Sequence, residues 1–192
     1  MKQTALYRLS LFAACLLLLG HVLDARAQAS DNTTLDVDID LVSPPPSCGF
    51  TIQANLNYGT AEKPTSGSGS VTISATTGSR SSSNTTVSGS SNVGQVRLSG
   101  SNVSSYTVTR TFPSTLTRSG GGSLSYSGAW AQSASSSSGY STISGSSYNG
   151  SAGGSGSSFN RYFRFGGTTS GIGTSDPDGN YDNTISASAT CN

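Results

Sequence analysis

The sequence predicts an all-β domain folded as a β-sandwich, and three observations carry that prediction. Apolar residues recur at every second position in short runs, Gly/Ser/Asn/Pro turns separate those runs, and no window carries a helical apolar stripe. Composition alone points elsewhere. With 33% hydrophobic and 10% charged residues and an abundance of Ser, Thr and Gly, the chain resembles a polar linker that buries too little to offset chain entropy. The period-two order of its apolar residues is what argues for a fold.

The most regular run is Leu35-Asp36-Val37-Asp38-Ile39-Asp40-Leu41, with four aliphatics on one strand face and three aspartates on the other. Pro44, Pro45 and Pro46 follow as a stiff extended connector that cannot join a sheet ladder. After Cys48, residues Phe50, Ile52, Ala54 and Leu56 alternate, then Val71, Ile73 and Ala75, and then Val96 with Leu98. Tyr106, Val108 and Phe112 continue the pattern, with Arg110 on the same face. Leu124 with Tyr126, and Trp130 between two alanines, mark further strands. Phe159, Phe163 and Phe165 mark the most aromatic strand, and the last runs from Tyr181 through Ile185, Ala187 and Ala189 to Cys191. The Ser/Gly-rich residues 133–158 read as a long loop or a weak edge hairpin. Strands at this spacing over ~145 residues suggest one sandwich.

Residues 1–27 read as a secretory signal. Lys2 and Arg8 make a positive start, an apolar run covers residues 11–20, and Ala25-Arg26-Ala27 is a small-x-small cleavage pattern. The run is shorter than the ~20 residues that a spanning helix needs, and nothing downstream is apolar enough to cross a membrane. Four leucines follow Cys15, which therefore lies inside the signal and is not a lipid-attachment cysteine. The expected organisation is residues 1–27 as signal peptide, 28–47 as an N-terminal strand and proline linker, and 48–192 as the sandwich domain.

Cleavage after Ala27 would remove His21, the single histidine, and leave two cysteines, Cys48 and Cys191. In an oxidising compartment the simplest state is one intramolecular disulfide, with the cysteines opposite each other on neighbouring antiparallel strands. A free pair or an intermolecular bond is the rival reading. Seven basic and eight acidic side chains would remain, a net charge of −1, which does not suit a nucleic-acid binder.

Without histidine, Ser-His-Asp and Cys-His chemistry is excluded, and so are most zinc sites. The remaining acids lie towards the two ends of the mature chain, so no catalytic residue, cofactor site or metal site is assigned. Asp176-Pro177-Asp178-Gly179-Asn180-Tyr181-Asp182 has alternating oxygen ligands, but its glycine and its missing terminal glutamate depart from a calcium loop. It reads as a turn before the last strand. Trp130, Tyr126, Tyr140, Tyr148 and Tyr162 could form a sugar-stacking platform, whereas Trp130 reads first as a core residue.

Several short motifs carry a family resemblance. They are Leu56-Asn57-Tyr58-Gly59-Thr60, the run from Gly69 to Ala75 followed by Thr77-Gly78-Ser79-Arg80, then Phe165-Gly166-Gly167 and Asp178-Gly179-Asn180-Tyr181. In this order they resemble the bacterial family of domain of unknown function 4402, over roughly residues 48–191. More distantly, they are similar to spore-coat-U-like secreted pilin subunits. The resemblance implies an immunoglobulin-like antiparallel β-sandwich with a surface or fibre role, and it supplies no catalytic residues. Two departures stand out: Tyr58 replaces the usual Phe, and the Ser/Gly-rich insertion before Phe159 is long.

The expectation is an exported, non-catalytic structural or adhesive subunit of the cell surface, pilin-like, whose partners are copies of itself or other surface subunits. A glycan-binding module that uses the aromatics is the alternative, and an outer-membrane barrel is a third reading that lacks aromatic girdles. Leu35, Val37, Ile39 and Leu41 are the candidate strand-donor contacts. Burying them would contribute about 6–12 kcal/mol before the cost of ordering. Two fates for this strand stay open, donation to a neighbour or pairing as the first strand of its own domain. A Cys48–Cys191 bond would favour the second if it closed a groove between first and last strands.

Overall fold

Strands form where β-branched and aromatic residues alternate with Ser and Thr, and they break where Gly, Pro and Asn cluster. The computed structural model describes residues 44–192, which fall within one compact unit, Val42–Asn192. The expected signal peptide and the aliphatic run at residues 35–41 lie outside the described residues.

In chain order the strands are β1 (Ser47–Ala54), β2 (Thr60–Ala61), β3 (Ser68–Ile73), β4 (Arg80–Ser83), β5 (Val87–Ser88), β6 (Gly94–Ser101) and β7 (Ser105–Thr111). They continue as β8 (Thr115–Arg118), β9 (Ser123–Ser133), β10 (Ser141–Thr142), β11 (Ser147–Ser151), β12 (Ser158–Gly173), β13 (Tyr181–Asp182) and β14 (Ser186–Cys191). No helix occurs among the described residues, every ladder is antiparallel, and the all-β expectation holds. Pro44 to Pro46 stand outside every strand, as consecutive prolines must.

A nine-stranded sheet runs β1-β6-β12-β9-β8-β13, with β10 beside β9 and β3 and β4 branching from β12. A three-stranded sheet, β11-β7-β14, lies across the core from it, and β2 with β5 forms a small ribbon. These layers are compatible with the immunoglobulin-like sandwich expected. The 16-residue β12 organises the large sheet. Its first half pairs with β6 and its second half with β3, while β9 follows its other edge. The change of neighbour falls at Gly166-Gly167. A Cβ on Gly166 would run into the carbonyl of Ile73, and Gly167 has φ +146°, so only glycine serves there.

The core is aromatic at its centre. Trp130, Phe163 and Leu98 on one sheet meet Tyr106 and Val108 on the other, all at most 1% exposed. Trp130 stacks on Phe163 and Phe165 with ring centroids 6.0 and 6.2 Å apart, and Phe159 stacks on Tyr106 at 5.0 Å. These large rings supply the buried area that a Ser/Thr-rich chain otherwise lacks. Residues 133–158 are more ordered than the expected loop or weak edge hairpin. Here β11 pairs with β7 and sends Tyr148 against Tyr106 and Phe163, while β10 folds back on β9. Alternation there is diluted by Gly and Ser, so the single tyrosine that anchors β11 leaves little periodic signal.

Cys48 and Cys191 form the expected intramolecular disulfide, with Cα atoms 6.3 Å apart and 143 residues between them in sequence. The strand relation differs from the expectation. Among the described residues β1 pairs with β6 alone and β14 with β7 alone, so the bond joins two sheet edges that share no ladder with each other. We expect no alkylatable thiol in the mature protein by mass spectrometry. The joint substitution Cys48→Ser, Cys191→Ser should lower unfolding stability by up to ~5 kcal/mol on the chain-entropy model. Leu98→Ala at the core centre should cost about 2–5 kcal/mol by urea denaturation, since its side chain is fully buried.

Candidate functional site: an apolar cleft between two unpaired strand edges

Ile52 identifies the site. In the register of β1 against β6, Phe50 lies opposite Leu98 and Ile52 opposite Val96, so both point towards the core side of the sheet. Phe50 packs there, edge-on to Phe163. Ile52 is 70% exposed, the one large hydrophobic so exposed among the described residues. A core-facing aliphatic stays in solvent only where the opposite layer is missing. On the other side, Ala187, Ala189 and Cys191 of β14 share the inward face with Tyr106 and Val108 of β7. Cys191 and Ala189 pack on the core, but Ala187 is exposed.

The two strands are pinned together at Cys48–Cys191 and carry no backbone hydrogen bonds to one another. Beyond the bond the seam opens into a cleft of about 1050 Å³. Phe50, Ile52 and Ala54 line one wall, and Ile185 and Ala187 line the other. Val71, Tyr126 and Phe165 are on its floor, and Leu116 and Tyr181 lie towards β8 and β13. The disulfide therefore closes one end of the groove and leaves the rest open. Among the described residues, each flanking strand has no ladder partner along this edge, the usual template for one more strand.

The motifs that carried the family resemblance meet around this cleft. The Tyr58 hydroxyl donates to the Gly167 carbonyl at 2.8 Å, and the Tyr126 hydroxyl donates to the Gly166 carbonyl at 2.9 Å. Together they brace β12 where its neighbour changes. A phenylalanine at position 58 could not make the first of these bonds, which gives the departure at Tyr58 a structural role. Arg80 Nη1 donates to the carbonyls of Tyr58 and Ser88 at 2.9 and 3.0 Å, tying the second motif to the first. Gly59 at φ +78° passes where a Cβ would strike that guanidinium.

The remaining candidates separate. Asp176 accepts a bond from the Gly173 amide at 2.7 Å, Asp178 pairs with Lys63 at 2.9 Å, and Asp182 accepts from the Asn180 side chain at 3.0 Å. The Lys63 hydrogen bond and charge hold the Asp178 carboxyl below its ordinary range. Among the described residues no three His, Cys, Asp or Glu side chains gather as metal ligands would. Of the five aromatics considered for sugar stacking, Trp130 and Tyr126 are buried and Tyr148 packs against the core, so the set forms no common exposed face. Tyr140 lies instead under the Arg164 guanidinium, 3.9 Å from ring centroid to Cζ. Among the described residues no arginine lines the cleft, while Lys63, Asp176, Asp178 and Asp182 stand on its rim-side lining; Arg110 stacks over Phe112 and donates to the Gly145 carbonyl.

Leu35, Val37, Ile39 and Leu41 lie outside the described residues. Sequence reasoning placed Phe50, Ile52, Ile185 and Ala187 on strands, yet nothing in their alternation separates an apolar face packed in the core from one left uncovered. Burial pushes the Tyr58 hydroxyl up, with the adjacent Tyr126 adding to it, and pushes Tyr126 up to about 12. A raised acid costs nothing while both states stay protonated. The contribution of these two tyrosines to stability should thus be level below pH ~10, where unfolded tyrosines ionise, and fall above it. Urea unfolding from pH 8 to 11.5 should show that fall, and Tyr58→Phe should make it shallower while costing about 1 kcal/mol at neutral pH.

No curated protein and no solved structure matches the chain. The family model described as Domain of unknown function (DUF4402) matches residues 50–190, which contain the whole cleft and the four converging motifs, and the chain belongs to that family.

Proposed function

We propose that this chain is an exported, non-catalytic structural or adhesive subunit of the cell surface, pilin-like in that it accepts a partner's β-strand. The observation that carries this reading is the exposed, core-facing Ile52 at the mouth of a cleft with an apolar floor, between two strand edges that have no ladder partner among the described residues. A strand laid between β1 and β14 would hydrogen-bond to one or both edges and cover the inner face, which is how strand addition recognises a peptide.

Export is supported by the signal-like residues 1–27 and by a disulfide that suits an oxidising compartment. Among the described residues no helix is long and apolar enough to cross a membrane. The non-catalytic reading rests on the residues themselves: no histidine follows His21, the two domain cysteines are bonded, and Asp176, Asp178 and Asp182 have separate partners.

Cells producing the full chain should deliver a mature form starting at Gln28 to the periplasm or surface, read by fractionation and N-terminal sequencing. Ile52→Asp should be exported and fold with stability within ~0.5 kcal/mol of the wild type, because the site is exposed. The same variant should vanish from the surface-assembled fraction. Wild-type assembly by Ile52→Asp, or a mature chain held in the cytoplasm, would refute the proposal.

A further inference from the structure

We infer that the outer face of the large sheet, around Arg97, Arg164, Tyr140 and Tyr162, binds an acidic polysaccharide, a chain of uronic acid sugars whose carboxylates pair with the two guanidiniums. This face lies on the other side of the sheet from the floor of the cleft, and the inference does not depend on what the cleft accepts.

The strand registers bring these side chains together. Leu98 of β6 and Phe163 and Phe165 of β12 belong to the core, so the residues that alternate with them point outward. Arg97 stands opposite Thr51 of β1 on one side and Tyr162 of β12 on the other. Arg164, two positions beyond Tyr162, is the diagonal neighbour of Arg97, ~7–8 Å away across the two strands. Tyr140 reaches the same face from the segment after β9. Ala131 and Ser133 also lie on this face, opposite Arg164 and Tyr162, yet both are buried because that segment folds back over them. The Ser133 hydroxyl donates to the Ser138 carbonyl at 2.6 Å and fixes the fold-back. The Tyr140 hydroxyl and Arg164 Nη2 both donate to the Ser136 carbonyl, at 3.1 and 3.4 Å, which sets the ring against the guanidinium. Gln95 Oε1 holds Arg164 Nε at 3.0 Å. A ligand would therefore meet side chains already ordered by the fold, which lowers the entropic cost of binding.

Charge selects the ligand. Among the described residues the one ion pair is Lys63–Asp178, so neither Arg97 nor Arg164 has a carboxylate, and Arg97 Nε is buried without a hydrogen-bond partner. Residues 44–192 hold seven basic side chains and four acidic ones, and three of the four, Asp176, Asp178 and Asp182, line the cleft instead. The guanidinium fork matches a planar carboxylate, and it keeps its charge at any physiological pH. Tyr162 and Tyr140 flank Arg164 and are half-buried, so part of each ring faces solvent; an aromatic face packs well on the C–H face of a sugar ring. Two arginines fall short of the basic stripe that nucleic acid requires. The one large hydrophobic exposed among the described residues is Ile52, in the cleft, so this face has no apolar anchor for a bilayer. Carboxylates spaced along hydroxylated rings satisfy the arginines and the tyrosines together.

Affinity electrophoresis of the purified mature chain through polygalacturonate tests this. The wild type should be retarded at low salt and released at high salt. It should run freely through the methyl-esterified polymer, which keeps the sugar chain and loses the charge. Arg97→Gln should melt as the wild type does and bind about 10-fold more weakly, the loss expected for one charge-assisted contact. Arg97→Lys should fall between the two, and Arg97→Gln with Arg164→Gln should not bind. Tyr162→Ala should weaken retardation while Tyr162→Phe leaves it unchanged, because the ring and not the hydroxyl makes the contact. Ile52→Asp should bind like the wild type, so failure of the cleft reading would leave this surface standing. Wild-type binding by Arg97→Gln, or equal retention of the esterified polymer, would overturn the inference. So would loss of binding in Ile52→Asp, or equally tight binding to a single-stranded oligonucleotide or to phosphatidylglycerol vesicles.

Discussion

The architecture depends on a single long strand that changes partners halfway. Because β12 serves β6 with its first half and β3 with its second, with β9 along its other edge, one backbone spine joins most of the large sheet. The change falls at two glycines, where a Cβ would meet neighbouring backbone. The Tyr58 hydroxyl on the Gly167 carbonyl and the Tyr126 hydroxyl on the Gly166 carbonyl brace this point. The short motifs scattered from Leu56 to Gly167 thus make sense as one mechanical unit. The first motif and the glycine pair lie far apart in sequence, yet one hydrogen bond joins them.

A second consequence concerns the sheet edges. β1 belongs to the large sheet through β6, and β14 belongs to the small sheet through β7. Among the described residues no ladder bond joins the two, and the disulfide is the covalent link between them. A covalent bond between two edges does what a ladder would do at one point and nothing elsewhere, so the seam opens as soon as the chain leaves Cys48. The pinned edge and the open cleft are therefore two results of one topology. Open edges beside apolar surface are normally a hazard. In the strand-accepting subunit proposed above, they would form the binding site.

The composition explains why the core is arranged as it is. With so few aliphatic side chains available, burial is concentrated in Trp130, Phe163, Phe165 and Tyr106, which stack across the sheets, while Ser and Thr fill the outward positions. Among the described residues, arginines stack on Phe112 or Tyr140 and donate to carbonyls or to the Gln95 amide oxygen rather than to carboxylates. The surface so formed is nearly free of ion pairs; among the described residues, Lys63–Asp178 is the one seen.

Period-two alternation by itself determined that this chain is all-β, and it marked the strands holding Val71, Leu98, Val108 and Phe163, because half-buried strands need that pattern whatever their partners. Two cysteines in a chain with an export-like start were enough to pair Cys48 with Cys191. Alternation could not place β11, where glycine and serine dilute the signal, and it could not tell Trp130 in the core from Trp130 on a binding face. Only the tertiary structure decided which apolar faces find a covering layer. Phe50 and Ile52 look alike in sequence, two positions apart on one strand, yet one packs on Phe163 and the other faces solvent. The difference arises because burial is set by what lies opposite a residue, and the edges of β1 and β14 meet only at their disulfide.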